Sequence, residues 1–173
     1  PGSANLILGC DIVVATSVTS LSRAERGVTR AVVNADLLPT ASFVIDPDID
    51  FQAGTMREAL NEAVSAADLD ILDANGLATA LMGDSIATNA FMLGFAFQRG
   101  AIPLSLEAIM KAIDLNGAAI EMNKIAFSWG RLAAHDDLGG RRRVQDGVVD
   151  ELGDEVREVH CVPAGDDRTV GRL

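Results

Sequence analysis

Few side chains in this sequence stand at spacings that chemistry uses. Asp46, Asp48 and Asp50 alternate with Pro47 and Ile49, a run of hard oxygen donors of the kind calcium prefers. An EF-hand loop also needs a glycine at its turn and a closing glutamate. Neither follows here, so the stretch reads as a solvated loop. His135 and His160 lack a serine or cysteine in a nucleophile setting, and each reads as a surface or structural histidine. Cys10 and Cys161 are the chain's two cysteines. Two thiolates cannot supply the four that an iron–sulfur cluster or structural zinc site requires. Neither a glycine-rich dinucleotide fingerprint nor a phosphate-binding loop occurs.

Gly83-Asp84-Ser85, with Asn116 about thirty residues on, has the donor types that hold magnesium on the diphosphate of thiamin diphosphate. Serine stands where that motif has its second glycine, and the paired asparagine is missing. Asn116 also precedes Gly117, a common helix ending. Helix capping is therefore the favoured reading, and no cofactor or metal is assigned to this segment. Asn89 and Asn123 lie among small or apolar neighbours within helical pattern. They read as buried amides bonded to backbone or to each other. Arg131 is expected to pair with helix carbonyls or with a carboxylate such as Asp84. Asp84, Asn89, Asn123 and Arg131 are thus the candidate buried polar residues.

These side chains need elements to position them. Residues 6–15, LILGCDIVVA, are nearly continuously apolar and predict a strand covered on both faces. A short helix is expected within 16–26, and further strands at Arg30–Asn34, Ser42–Ile45 and Asp70–Asp73. Between the last two, Met56, Ala59, Leu60, Ala63, Val64 and Ala67 recur at helical spacing, predicting a helix over 55–67 with Thr55 as cap. Strands alternating with helices predict an α/β domain with a largely parallel sheet. From 76 to 135 the pattern is helical alone. Three helices are expected: one after Asp84 or Ser85, one capped by Ser105 and stopped by Gly117, and one from Ala118 to Ala134. A boundary falls near Asp136. Residues 136–173 hold ten acidic and six basic residues, six glycines and no long stripe.

The helix after Ser85 is apolar all round. At 100° per residue, Ile86, Ala90, Leu93 and Phe97 form one face, and Phe91 and Phe95, with Met92 beyond, form the other. Such a helix is either enclosed by its own domain or docks one face on another subunit, so Phe91, Met92 and Phe95 are the interface or packing candidates. The formal net charge of −11 argues against a nucleic-acid or anionic-membrane surface. The longest apolar run, about 12 residues, is too short to span a bilayer. A cytoplasmic protein is expected.

Several blocks in order resemble one family. They are Leu8–Ala15, Leu72–Ala78, Leu81–Asp84, Asn89–Gly94, Gly100–Leu104, Ala112–Gly117 and Asn123–Arg131. Together they resemble the gamma-type domain of 2-oxoacid:ferredoxin oxidoreductases, most closely the indolepyruvate type, over residues 4–136. The resemblance implies a layered α/β/α, Rossmann-like domain serving structure and assembly. It also implies a complete, oligomeric enzyme that oxidatively decarboxylates an aryl-pyruvate to an acyl-CoA and passes electrons to ferredoxin. Thiamin diphosphate, magnesium, iron–sulfur clusters and coenzyme A would belong to other domains or subunits, and the thiamin-binding parts would be its partners. Such domains usually begin with a glycine-rich strand–turn–helix, so the resemblance implies an N-terminally truncated domain. The 137–173 tail does not match the family. Sister enzymes acting on pyruvate, 2-oxoglutarate or branched 2-oxoacids are the first alternative. A free-standing module holding a small ligand with Asp73, Asp84 and Asn89 at the strand ends is the second.

Overall fold

The computed structural model describes residues 2–35 and 52–139. The expected strand Ser42–Ile45, the Asp46–Asp50 run, His160, Cys161 and the tail beyond 139 lie outside the described residues.

Three parallel strands, β1 (Leu6–Gly9), β2 (Arg30–Asn34) and β3 (Leu69–Leu72), pair in the order β1-β2-β3. Leu8 stands opposite Val32, and Val32 opposite Asp70. With helices between and after the strands, the chain is an α/β protein, as the alternation predicts.

The run LILGCDIVVA is not one strand. Asp11 ends the extended backbone by turning its carboxylate onto the next amides. Its Oδ1 accepts from Val13 N at 2.6 Å and Val14 N at 3.2 Å, opening the single-turn helix α1 (Ile12–Ala15). A second single turn, α2 (Val18–Leu21), follows under a Ser17 cap. The helix expected over 55–67 starts and ends earlier, as α3 (Gln52–Ala63).

Because side chains alternate along a strand, the sheet sorts its residues between two helical layers. Ala31 and Val33 point to one face and form a core with Ile12 and Ala15 of α1, Leu60 of α3 and Val64 just beyond it. Val32, Arg30 and Asp70 point to the other. There α5 (Thr88–Gln98) packs on β1 and β2. Arg99, at its C-terminal end, grips Asp70 through two bonds, Nε–Oδ2 at 3.0 Å and Nη2–Oδ1 at 2.6 Å. Arg30 donates to the Arg99 carbonyl oxygen at 2.6 Å. The forked geometry fixes the angle of α5 on the sheet as well as its position.

The second half contains one helix more than expected. Asp73 accepts from Gly76 N at 2.8 Å and starts α4 (Ala74–Met82), which ends on left-handed Gly83. The turn Ser85–Ala87, α6 (Leu106–Asn116) and α7 (Ile120–Gly139) complete the described chain. Ser105 caps α6, accepting from Ala108 N at 3.1 Å, and Gly117 ends it with φ +72°. Both match expectation. Helix α7 runs three residues past the boundary expected at 136.

Phe91, Met92 and Phe95 are buried within the chain itself, so they pack and offer no docking surface. The cause is the crossing of α5 and α7. Gly94 sits against the carbonyl of Phe127, and Gly130 against the carbonyl of Phe91. A Cβ at either glycine would overlap the facing oxygen. The two backbones touch, and Phe91 and Phe127 close over the contact, both fully buried.

Candidate functional site

In parallel α/β sheets the carboxyl ends of the strands are where ligands usually gather. Here that edge is knotted by one amide. Asn34, the last residue of β2, is 1% exposed. Its Nδ2 donates to the Cys10 carbonyl oxygen and to Asn75 Oδ1, each at 3.2 Å, while its Oδ1 accepts from Ala74 N at 3.0 Å. A single side chain thereby ties the end of β1, the end of β2 and the start of α4.

The two acids at this edge, Asp11 and Asp73, both cap helices. Cys10 is half-buried, and burial raises its thiol pKa above the ordinary value. It is thus less of a thiolate at neutral pH than an exposed cysteine would be. Among the described residues, no three His, Cys, Asp or Glu side chains group to hold a metal ion. What the edge does, chemically, is satisfy backbone groups at three element ends. No buried side-chain nitrogen or oxygen among the described residues lacks a partner.

The residues singled out from the sequence do not converge. Asp84 is exposed, not buried, because its carboxylate accepts from Ile86 N at 3.0 Å and caps the Ser85 turn. Asn89 is exposed on the first turn of α5. Asn123 is half-buried and donates to the Ala118 carbonyl at 2.9 Å, the backbone bond expected of it. Arg131 is half-buried. Its partner is Gln98 Oε1, at 3.0 Å, instead of Asp84, and its guanidinium lies 5.5 Å from the Phe97 ring centre. His135 is exposed at the end of α7's described side chains. Asp73, Asp84 and Asn89 share no hydrogen bond or ion pair, and each carboxylate serves its own cap. Asp84 caps its own turn, and Asn116 lines a different surface. Sequence reading missed Asn34. Its signal was an amide closing an otherwise apolar strand, AVVN.

That other surface is an apolar cleft of about 310 Å³. It is lined by Leu93 of α5, by Leu104, and by Ala108, Ala112 and Ile113 of α6. Asn116 and Asn123 supply its polar atoms. Leu104 is 59% exposed and Leu115 76%. At 100° per residue the α6 lining spans about 140°, from Ala108 to Ile113, and Leu115 falls just outside that arc, beside Ala108. Ile109, buried, also lines the cleft, and Lys124 of α7 meets Asp114 of α6 at 2.6 Å. The hydrogen bond to Asp114 holds the Lys124 pKa above its ordinary value. The outward face of α5 is thus the Leu93 side, opposite to Phe91 and Phe95.

Comparison with family models, with curated proteins and with solved structures finds no match for this chain. Among the described residues no helix is long and apolar enough to cross a membrane.

Proposed function

We propose that this chain is the gamma-type assembly domain of a 2-oxoacid:ferredoxin oxidoreductase, of the indolepyruvate type. It would pack against the thiamin-binding parts and lend them structure, while decarboxylation, acyl transfer to coenzyme A and electron transfer to ferredoxin proceed elsewhere in the enzyme. The observation carrying this reading is the apolar cleft between α5, α6 and α7, with Leu104 and Leu115 at its side. Exposed leucines beside an apolar trough mark a surface suited to being covered. Support also comes from where the resembling blocks fall. Leu8–Ala15 and Leu72–Ala78 contain the caps and partners joined by Asn34. Asn89–Gly94 and Asn123–Arg131 contain the two glycines of the helix crossing. Blocks that share a scaffold role fit a domain whose task is scaffolding.

The test is assembly. Leu115→Asp changes a side chain that is mostly in solvent, so folding should be retained. Mixed with a thiamin-binding polypeptide of such an enzyme, the wild-type chain should co-elute on size exclusion. The variant's affinity should fall about tenfold or more, the loss expected when a charge enters an apolar interface core. Equal assembly of wild type and variant would remove the cleft from the interface.

A further inference from the structure

Twice in this sequence an asparagine directly precedes a glycine, at Asn75-Gly76 and at Asn116-Gly117. In such a pair the glycine's backbone nitrogen can reach the carbonyl carbon of the asparagine side chain, and no Cβ hinders its approach. What holds each group decides whether the two meet.

At the first pair both groups are held. Gly76 N donates to Asp73 Oδ1 at 2.8 Å, and Asn75 Oδ1 accepts from Asn34 Nδ2 at 3.2 Å. Both residues lie within the first turn of α4. The Asp73 carboxylate also opposes loss of the Gly76 amide proton, because a like charge would then face it.

At the second pair neither group is held. Asn116 is the last residue of α6 and is exposed, and its side-chain amide has no hydrogen bond among the described residues. Gly117 leaves the helix with φ +72°, and its N–H meets no acceptor at hydrogen-bonding geometry among the described residues. At the end of α4 the equivalent Gly83 N does donate, to the Thr79 carbonyl at 2.9 Å. Chain neighbours aside, nothing lies within 4 Å of where a Cβ on Gly117 would stand. The nearest tie is one residue further on, where Asn123 Nδ2 donates to the Ala118 carbonyl at 2.9 Å.

We propose that Asn116 is a site of spontaneous deamidation, which puts a carboxylate on the wall of the apolar cleft. Gly117 N, on losing its proton, bonds to Asn116 Cγ. The Cγ–Nδ2 bond breaks, and the amide leaves as ammonia, taking up the proton. Water then opens the five-membered imide at either carbonyl. One opening gives aspartate, and the other gives isoaspartate, in which the main chain runs through the former side chain. The new charge stands at the carbonyl end of α6, where the helix dipole disfavours an anion. It shares the cleft wall with Ala112 and Ile113. A partner covering the cleft would meet a carboxylate in place of a neutral amide. That consequence rests on the assembly reading above, whereas the modification itself does not.

The test uses the folded wild-type chain alone, incubated at physiological temperature over a series of rising pH. Peptide mapping by mass spectrometry follows acid and isoaspartate at both pairs. Conversion at Asn116 should be about tenfold or more faster than at Asn75, whose glycine must first release a charge-assisted bond. The rate should rise with pH, since the attacking nitrogen is deprotonated, and isoaspartate should be among the products. In urea, where both pairs lose their surroundings, the two rates should converge. Asn116→Gln, which would need a six-membered ring, should keep its amide over the same period. Equal rates at the two pairs in the folded chain would overturn the proposal. So would an Asn116 still intact when the unfolded chain has converted, or an acid at 116 formed without isoaspartate.

Discussion

Gly94→Ala is expected to destabilise the fold by about 2–4 kcal/mol, lowering the melting temperature by about 10 °C. The new methyl would meet the carbonyl oxygen of Phe127, a backbone atom held in the middle of α7. A side chain in that place could change rotamer, but a helix carbonyl can move only with its helix. Separating α5 from α7 would loosen Phe91 and Phe127, both fully buried. Alanine's better helix propensity returns at most about 1 kcal/mol, so overlap decides the sign. Gly130→Ala meets the Phe91 carbonyl from the other side and should cost a similar amount. Gly54→Ala in α3 is the control, because a Cβ there meets nothing within 4 Å. It should be neutral or slightly stabilising. Urea or thermal unfolding of the three variants checks the order.

Asn34→Ala carries the second largest effect, about 2–4 kcal/mol. Removing the amide leaves the Ala74 N–H and the Cys10 carbonyl without the partner they have at a site where Asn34 itself is 1% exposed. Buried orphaned groups each cost about 1–3 kcal/mol, whereas loss of the bonds alone would cost less. Asn34→Asp separates donor from acceptor. It keeps the acceptor facing Ala74 N but replaces the donor to two oxygens by a buried carboxylate oxygen. Burial and those oxygens favour the protonated acid in the folded chain, raising its pKa above the unfolded value. The sign follows. The variant should be closest to wild type at acidic pH and lose stability as pH rises through the ordinary carboxylate range. Unfolding midpoints measured from pH 4 to pH 8 would show this, and a flat profile would remove Asn34 from the buried network.

Where local chemistry decides structure, the sequence was readable. Ser105 and Gly117 delimit α6, the spacing from Met56 to Val64 marks the buried stripe of α3, and Arg30–Asn34 forms β2 as expected. Reading failed where a single polar residue overrides a run, or where tertiary contact decides. Asp11 breaks an apolar decamer by capping, and Asp73, expected as the end of a strand, instead caps α4. The face of α5 that turns inward is chosen by Gly94 and Gly130, 36 positions apart in sequence. No periodicity in α5 itself records that choice, since both its faces are apolar. Asn89 was expected inside because its neighbours are small or apolar, and Asp84 as a carboxylate for Arg131 to pair with. Once Phe91 and Phe95 turn inward, Ile86, Asp84 and Asn89 remain outside. Asn34 was legible only as the end of a strand. Its importance comes from Cys10, Ala74 and Asn75, which only the sheet brings to it.

The most direct test of the proposed assembly role is turnover. Indolepyruvate-dependent dye reduction, with thiamin diphosphate and coenzyme A, would be followed for this chain alone, for a thiamin-binding polypeptide of such an enzyme, and for the two together. The expected result is no turnover by the chain alone and a gain on mixing that Leu115→Asp largely abolishes. Turnover by the isolated chain, or a partner whose rate is indifferent to its addition, would contradict the assignment.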